Sequence, residues 1–230
     1  MSSKQHDKDI FSFKYKNENI SLYLPNHGDF IQSRIRNKKQ FYESALLDDL
    51  YTSGLSGKTV IDVGANIGNH TVFFAKVAKA RKVYCFEPFK DMFNILKRNI
   101  ELNGLGEKIR AYNLAVGKSK GKGTMKIRNI ANLGMNRVQQ DSSGDVEIDS
   151  LDNILLSSID SVDLIKIDVE GMELDVLQGS RQILQKFKPD LCIEANTEIA
   201  FNKTLELLSK YNYKFVKQFK WTPTYLFSSN

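Results

Sequence analysis

The stretch VIDVGANIGNHT, Val60–Thr71, constrains the fold of this chain more than any other. Residues 60–63 suit a buried strand, and the chain then runs through Gly64 and Gly68 into a helical pattern. A strand that passes through a tight turn into a helix is typical of a β-α-β unit around a parallel sheet. The turn also places a bare backbone next to an acid, Asp62, where ligands bind in such sheets.

The rest of the chain repeats this alternation of strand and helix. Further buried strands are predicted in VYCFEP, IRAYNLAVG, VDLIKIDVEG and PDLCIEAN, with helices at 69–80, 89–103, 173–187 and 203–211. Near-continuous apolar strands separated by helices predict an α/β fold with a doubly wound, mostly parallel sheet. YKFVKQF and TYLFSS predict a terminal hairpin that closes this sheet.

Residues 1–55 are predicted to form an extension of the main domain, which would comprise residues 56–230. IFSFKYKNENISLYLP predicts a β-hairpin that turns at 16–19, and an amphipathic helix is predicted over 38–54. We interpret VGKSKGKGTMKIR, 116–128, as a flexible solvated loop, with TMKIRN and DVEIDSLDNIL as an extra strand and a short helix. The extension and the loop are expected to cover the pocket and select the substrate.

Composition narrows the class of protein. The chain has 230 residues and 41% hydrophobic residues, which suits one globular domain with a small extension. No apolar run reaches the roughly 20 residues of a membrane span. The polar N-terminus lacks the apolar core of a secretion signal, so we expect a cytoplasmic protein. Cys85 and Cys192 lie in apolar runs and are interpreted as buried thiols.

The net charge of +6 admits a nucleic-acid partner or an acidic substrate. Because the lysines are spread rather than clustered, we interpret them as a solvated surface and expect no nucleic-acid partner. The charge alone motivates the alternative of an RNA methyltransferase, and a catalytically inactive cofactor-binding protein is a second alternative. No prediction of oligomeric state is made.

The glycine turn discriminates between three ligand classes. The turn is not a phosphate-binding P-loop, because no Gly-Lys-Ser/Thr follows the glycines. A dinucleotide prefers G-x-G-x-x-G, and here Asn66 takes the place of the middle glycine. The spacing G-x-x-x-G after Asp62 fits S-adenosylmethionine, whose ammonium favours a carboxylate and whose carboxylate favours backbone N–H groups. Asp62 would hold the ammonium or brace the turn.

Glu87 ends the next predicted strand in VYCFEP, 25 residues after Asp62. An acid at this place accepts hydrogen bonds from ribose hydroxyls of either NAD or S-adenosylmethionine. Glu87 therefore supports an adenosine-containing ligand without separating the two.

Several blocks of the chain resemble one known family. DLIKIDVEGMELDVLQG, Asp163–Gly179, resembles the signature of the FkbM-type S-adenosylmethionine-dependent methyltransferases. VIDVGANIGNHT, YCFEPF, NLAVG and EIDSLD are similar to other blocks of that family, in the same order. The resemblance extends from about residue 26 to residue 193, so the hairpin and the C-terminal segment lie outside it.

The resemblance implies a Rossmann-like class I methyltransferase fold. Together with the pattern of strands and helices, it predicts a seven-stranded, mostly parallel sheet with a terminal antiparallel strand, preceded by the small N-terminal hairpin and helix extension. It implies methyl transfer from S-adenosylmethionine, commonly to a hydroxyl on a sugar or natural product. The residues that it assigns to cofactor binding, together with their flanking positions, are Asp62, Gly64, Ala65, Asn66, Gly68, Asn69, Glu87 and Pro88, with Asn113 and Ala115 beside the adenine.

A hydroxyl acceptor benefits from a base that takes its proton. Asp168 follows the fourth main strand and is our first choice, either as the base or as a carboxylate that orients the substrate. Glu170 would share its face if the strand pleat continued, and is interpreted as a brace for the loop. His70 is an alternative base. Lys166, in a buried strand, is expected to pair with Asp62 or Asp168, or to extend to the surface.

A divalent metal is a further hypothesis. Asp168 with Glu194 and Asn196 would offer oxygen ligands at neighbouring strand ends. We favour the interpretation without a metal, in which Glu194 and Asn196 cap strand ends and contact the substrate.

Overall fold

The computed structural model describes residues 7–126, 137–220 and 222–229. In chain order, its strands are β1 (Ile10–Tyr15), β2 (Glu18–Tyr23), β3 (Thr59–Val63), β4 (Lys82–Phe86), β5 (Ile109–Tyr112), β6 (Ala115–Val116), β7 (Gly121–Lys126), β8 (Arg137–Gln140), β9 (Val146–Asp149), β10 (Leu164–Ile167), β11 (Asp190–Glu194), β12 (Lys214–Gln218) and β13 (Thr224–Ser228).

The helices connect these strands. They are α1 (Phe30–Lys38), α2 (Ser44–Thr52), α3 (Asn69–Val72), which continues as a π-helical turn over Phe73–Val77, α4 (Lys90–Leu102), α5 (Leu151–Leu155), α6 (Glu173–Gln178), α7 (Arg181–Phe187) and α8 (Glu198–Ser209). No helix in the described part of the chain is long and apolar enough to cross a membrane.

The central sheet has seven strands in the order β12-β13-β11-β10-β3-β4-β5. The five strands from β11 to β5 are parallel, whereas β13 is antiparallel to β11 and β12 is antiparallel to β13. The mixed sheet confirms the predicted α/β Rossmann-like fold and its C-terminal hairpin. A second sheet, β6-β9-β7-β8, lies beside it, and β1 and β2 form the N-terminal hairpin.

Both faces of the central sheet are buried. Val60 of β3 and Val83 of β4 belong to one apolar cluster, whereas the next residues along each strand, Ile61 and Tyr84, belong to another. Successive side chains of a strand point to opposite faces. Two covered faces therefore explain why these strands read as continuous apolar runs. Both cysteines are free and buried, as predicted.

Two asparagines of α4 hold the N-terminal hairpin by its backbone. Asn99, fully buried, accepts a hydrogen bond from the Tyr23 N–H at 2.6 Å and donates to the Ile67 carbonyl at 2.8 Å. Asn103 donates to the Ser21 carbonyl at 2.7 Å and accepts from its N–H at 3.3 Å. The hairpin is thus fixed to the same helix that supports the glycine turn. The turn of the hairpin, predicted at 16–19, comprises only residues 16–17.

The predicted helix 38–54 is wrong in its extent. Lys39 and Glu43 both adopt left-handed backbone conformations, with φ of 50° and 55°, so the chain leaves α1 and starts α2 anew. Between them Phe41 is buried, with its ring centroid 5.3 Å from that of Phe13 and 5.4 Å from that of Phe73. Burial of this ring between hairpin and domain accompanies the break, a contact that local periodicity does not reveal.

Two other helix predictions need correction. The helix predicted over 173–187 is two helices, because the chain breaks at Gly179, where a Cβ would overlap the carbonyl of Gly117. The helix predicted over 203–211 begins earlier, since Thr197 caps α8 by accepting a hydrogen bond from the Ala200 N–H at 3.1 Å.

The interpretation of 116–128 as a flexible solvated loop is wrong for residues 121–123, which begin β7, whereas the extra strand predicted in TMKIRN is confirmed at residues 124–126. The whole of β7 pairs with β8 and β9. Gly123 has no room for a side chain beside Val138, so this glycine permits close strand packing. Residues 127–128 lie outside the described residues. The third predicted strand, IRAYNLAVG, divides into β5 and β6, which join different sheets.

Candidate active site

A cavity that is partly open to solvent lies over the carboxyl ends of β3, β4, β10 and β11, with about 1120 Å³ of empty space when the solvent at its mouth is included. The predicted site residues that line it are Gly64, Ala65, Asn66, Asn69, His70, Glu87, Pro88, Ala115, Asp168 and Glu170. Asp62, Gly68 and Asn113 lie behind its wall. The edge of a parallel sheet thus brings together most of the residues that the sequence separated.

The glycine turn forms one wall. Gly64 has φ of +81°, and a Cβ there would overlap the carbonyl oxygen of Asp168. The N–H groups of Gly64 and Ala65 both donate to the Phe86 carbonyl, at 3.0 and 2.9 Å. The missing side chain therefore lets β3 and β10 approach each other, and the turn is held firmly against β4.

The remaining N–H groups of the turn are also bonded within the protein. Asn66 donates to Glu87, Ile67 to the Asn66 side chain, and Gly68 to the Ala65 carbonyl. These contacts give no support to the expectation that the turn offers its N–H groups to a ligand carboxylate. The turn shapes the cavity wall.

Asp62 does not reach the cavity. It is fully buried, and one oxygen accepts a hydrogen bond from the Thr71 hydroxyl at 2.5 Å. The other lies 3.7 Å from the ammonium nitrogen of Lys166. Of the two roles left open for Asp62, its contacts favour bracing of the turn and of the start of α3.

Glu87 presents a carboxyl group at the cavity wall. One oxygen accepts a hydrogen bond from the Asn66 N–H at 2.8 Å, and the other accepts from the Phe89 N–H at 2.7 Å. Burial raises the pKa of Glu87 from 4.5 to about 7, although these N–H groups favour the ionised form. Each carboxylate oxygen retains a second lone pair for a ligand hydroxyl.

Two asparagines with predicted cofactor roles support the backbone. The Asn113 amide donates to the carbonyls of Glu87 and Pro88 at 2.9 and 3.0 Å, and so fixes the loop after β4. Asn69, at the start of α3, exchanges hydrogen bonds with the backbone of Tyr42 at 2.9 and 3.0 Å. Asn69 thereby joins the N-terminal extension to the glycine turn.

Lys166 lies at the floor of the cavity between two acids. Its ammonium nitrogen is 3.0 Å from Asp168 Oδ2 and 3.7 Å from Asp62 Oδ1. Burial alone would lower the pKa of Lys166, but the two carboxylates hold it above its usual value. Burial would raise the pKa of Asp168, but Lys166 holds it below its usual value. The expected pairing of Lys166 is therefore present, and Asp168 is ionised.

Asp168, Glu170 and Glu194 bring carboxylate oxygens within 4.8 Å of one another. Burial and the neighbouring Asp168 raise the pKa of Glu194 well above its usual value, so Glu194 carries a proton that Asp168 lacks. Such oxygens suit a hard cation, but the ammonium of Lys166 already neutralises Asp168. Asn196, the third ligand of the metal hypothesis, is exposed and does not line the cavity.

The cavity lining includes two residues that sequence reasoning missed. Tyr42 and Glu43, from the extension between α1 and α2, line the cavity, and Glu43 Oε2 lies 3.2 Å from His70 Nε2. Burial, followed by the charge of Glu43, raises the pKa of Tyr42 to about 12. No motif marks these positions, because the extension reaches the site only through tertiary packing.

The fold is Rossmann-like, and its cavity lies where ligands bind in such sheets. Residues 62–215 match the model of the Methyltransferase FkbM domain. Because this match covers more than half of the chain, the chain belongs to the FkbM methyltransferase family, as its sequence blocks indicated.

Individual relatives agree with this assignment. The chain is 27% identical over 159 residues to methyltransferase sdnD of Sordaria araneosa, covering 54% of this chain and 61% of that protein. It is 32% identical over 126 residues to the hexuronic acid methyltransferase AglP of Haloferax volcanii, covering 54% and 50%. The alignments thus span between half and about three fifths of these relatives' lengths.

Solved structures show the fold. Methyltransferase FkbM from Methylobacillus flagellatus superposes with a TM-score of 0.52 at 23% identity, over 75% of this chain and 43% of that one. The methyltransferase domain of METTL16 gives the same TM-score at 14% identity, over 82% and 66%. At these identities the likeness concerns the fold alone.

Proposed function

We propose that this protein is an S-adenosylmethionine-dependent methyltransferase that methylates a hydroxyl on a sugar or another small-molecule or glycan acceptor. One observation carries the proposal. In a chain of the methyltransferase family, one cavity is lined by Glu87 on one wall and by Asp168 and His70 on another, and the glycine turn contacts both Glu87 and Asp168. The wall with Glu87 would take the methyl donor, and the wall with Asp168 and His70 would face the acceptor.

The residues of the first wall fit an adenosine-containing donor. The Glu87 carboxylate can accept hydrogen bonds from ribose hydroxyls, and Leu114, Ala115 and Met92 offer apolar surface for a base. When bound, S-adenosylmethionine supplies a methyl group on a sulfonium that is open to nucleophilic attack. Asn113 keeps the loop that carries Glu87 in place.

The residues of the second wall fit a hydroxyl-rich acceptor. Their carboxyl groups, Asp168, Glu170, Glu194 and Glu43, can accept or share hydrogen bonds with several hydroxyls at once. In-line orientation of donor and acceptor can account for roughly 7–11 kcal/mol of the barrier. The hexuronic acid methyltransferase of Haloferax supports a sugar-type acceptor.

The extension, residues 1–55, would act as a cap on the acceptor side of the main domain at 56–230. Ile31, Tyr42 and Glu43 line the cavity from this extension. The hydrogen bonds of Asn99 and Asn103 hold the extension in place. A cap that contributes lining side chains is a natural site for selecting the acceptor.

Titration calorimetry with S-adenosylmethionine tests the donor site. Wild type should bind, and Glu87→Gln should bind at least about tenfold more weakly because a charged acceptor of ribose hydrogen bonds is lost. Glu101→Gln on the exposed face of α4 is the matched control and should bind like wild type. Binding of NAD in place of S-adenosylmethionine would contradict the proposal.

Turnover tests the acceptor. S-adenosylhomocysteine release should rise above background with at least one member of a panel of methyl hexosides, hexuronic acids and phenols. Binding of the donor without turnover on any of these would contradict hydroxyl methylation.

A further inference from the structure

Glu43 occupies a strained position that its own helix does not explain. It precedes α2 in the left-handed region, with φ of 55° and ψ of 38°, and its side chain makes no capping hydrogen bond. A non-glycine residue in this region is strained, because its Cβ lies too close to the following carbonyl oxygen. The side chain is mostly buried and lines the cavity. Such strain persists where the surroundings over-determine it, often at functional sites.

The carboxylate of Glu43 is directed at His70. Oε2 lies 3.2 Å from Nε2 of the imidazole, which is itself buried and stacked on Phe74 with ring centroids 6.3 Å apart. The N–H direction is bent away from the carboxylate, so this contact is an ion-pair approach rather than an aligned hydrogen bond. Nδ1 makes no hydrogen bond within the described residues. The ring therefore keeps a nitrogen for another partner.

The other candidate bases are occupied. Asp168 is bound to Lys166 at 3.0 Å, which makes its carboxylate a weak proton acceptor. Glu194, beside the ionised Asp168, is protonated and cannot accept a proton. His70, by contrast, lines the cavity in contact with a carboxylate, and an imidazole nitrogen can take up a proton.

We propose that His70 accepts the proton of the acceptor hydroxyl, and that Glu43, supplied by the N-terminal extension, is its positioning residue. This inference rests on the proposed function. As the hydroxyl oxygen bonds to the methyl carbon, the carbon–sulfur bond breaks and its electron pair remains on sulfur, giving a neutral thioether. The hydroxyl proton moves to the imidazole, and the imidazolium is stabilised by the Glu43 carboxylate and later loses the proton to solvent.

The charged groups around His70 come from two parts of the fold, the start of α2 and the end of β10. Glu43 approaches from the start of α2, and Asp168 acts on it from the end of β10. Lys166 opposes them from within β10 through its pairing with Asp168. The carboxylate of Glu43 is the one in direct contact, so its removal should change the basicity of the imidazole most.

The test uses the full chain and the acceptor of the panel with the highest turnover. His70→Gln should lower kcat by about 10²- to 10⁴-fold, the usual contribution of a general base. Glu43→Gln should lower kcat at least about tenfold, with little change in the KM of the acceptor. Its acid limb in the pH profile should move to lower pH, because the imidazolium loses its counter-charge. Glu198→Gln, exposed at the start of α8, is the control and should match wild type.

The outcomes separate the two proposals. Binding of S-adenosylmethionine by both variants, measured by calorimetry, shows that they are folded and donor-competent. If such variants keep wild-type kcat, or if Glu43→Gln lowers kcat without moving the acid limb, the pair is overturned and the proposed function stands. If wild type neither binds S-adenosylmethionine nor turns over any panel acceptor, the proposed function fails and the pair fails with it.

Discussion

The ammonium nitrogen of Lys166 lies 3.0 Å from Asp168 Oδ2, and both side chains lie on the same face because the two residues are two positions apart along the chain. The contact commits Asp168 to an ion pair at the floor of the cavity. A carboxylate held in this way can orient a substrate, but it is a weak proton acceptor because the neighbouring ammonium favours its ionised form. The pairing thus shifts the choice of base from Asp168 toward His70.

Lys166→Met should destabilise the fold by about 3–5 kcal/mol. Loss of the ammonium leaves Asp62, fully buried, and Asp168 without a counter-charge. Urea denaturation at pH 7 measures this change. Lys217→Met is the control, because Lys217 pairs with Asp49 on the exposed surface and should cost no more than about 1 kcal/mol. Equal losses in the two variants would contradict the role given to Lys166.

Glu87→Gln should change how stability depends on pH. The pKa of Glu87 is about 7 in the folded protein and 4.5 in the reference state. Between these values the folded state binds more protons than the unfolded state, so the free energy of unfolding of wild type falls as pH rises, by about 3 kcal/mol from this group.

Glutamine does not titrate, so the variant should lack this part of the fall between pH 4.5 and 7. Urea denaturation at several pH values measures the difference between variants. Glu101→Gln is the control, because Glu87 still titrates in it. Parallel curves for Glu87→Gln and wild type would show that Glu87 titrates normally in the folded protein.

Gly64→Ala should prevent stable folding or cost at least about 3 kcal/mol more than Gly104→Ala. Both glycines have positive φ, +81° and +65°, so both substitutions strain the backbone. Only at Gly64 would the new Cβ overlap the Asp168 carbonyl, whereas nothing lies within 4 Å of it at Gly104. Thermal unfolding of the two variants separates the effect of the overlap with Asp168 from that of backbone strain. Similar melting temperatures would contradict the role given to this close approach.

Asn113→Ala should destabilise the protein by about 1–2 kcal/mol and weaken binding of S-adenosylmethionine. Its amide holds the carbonyls of Glu87 and Pro88, and each hydrogen bond contributes about 1 kcal/mol. Asn202→Ala, on the exposed face of α8, is the control. Denaturation and calorimetry on the same samples give both quantities. An unchanged affinity despite lower stability would show that the loop held by Asn113 does not contribute to binding of S-adenosylmethionine.

The central sheet was predictable because its strands carry their own signal. Continuous apolar runs, a glycine turn after β3 and acids at strand ends require no knowledge of distant residues. The gathering of Glu87 and Asp168 at one cavity then follows from parallel topology.

The part of the cavity around Glu43 and His70 was less predictable, and the reason is physical. Glu43 reaches His70 only because the chain enters a left-handed conformation that glycine usually adopts, and because Phe41 is buried between Phe13 and Phe73. Both effects depend on tertiary packing. Lys39 ends α1 in the same way, without any sequence marker for a helix end.

The attachment of the hairpin through Asn99 and Asn103 has a consequence for how acceptor preference can diversify. The two amides bond to peptide groups, at Tyr23 and Ser21. The exposed side chains of the hairpin can therefore vary while its docking geometry is kept, whereas buried ones such as Ile20 and Leu22 belong to the core. Chimeras that exchange the hairpin for that of a relative and keep both asparagines should therefore retain the way in which it docks. Such chimeras are a direct way to change the range of acceptors.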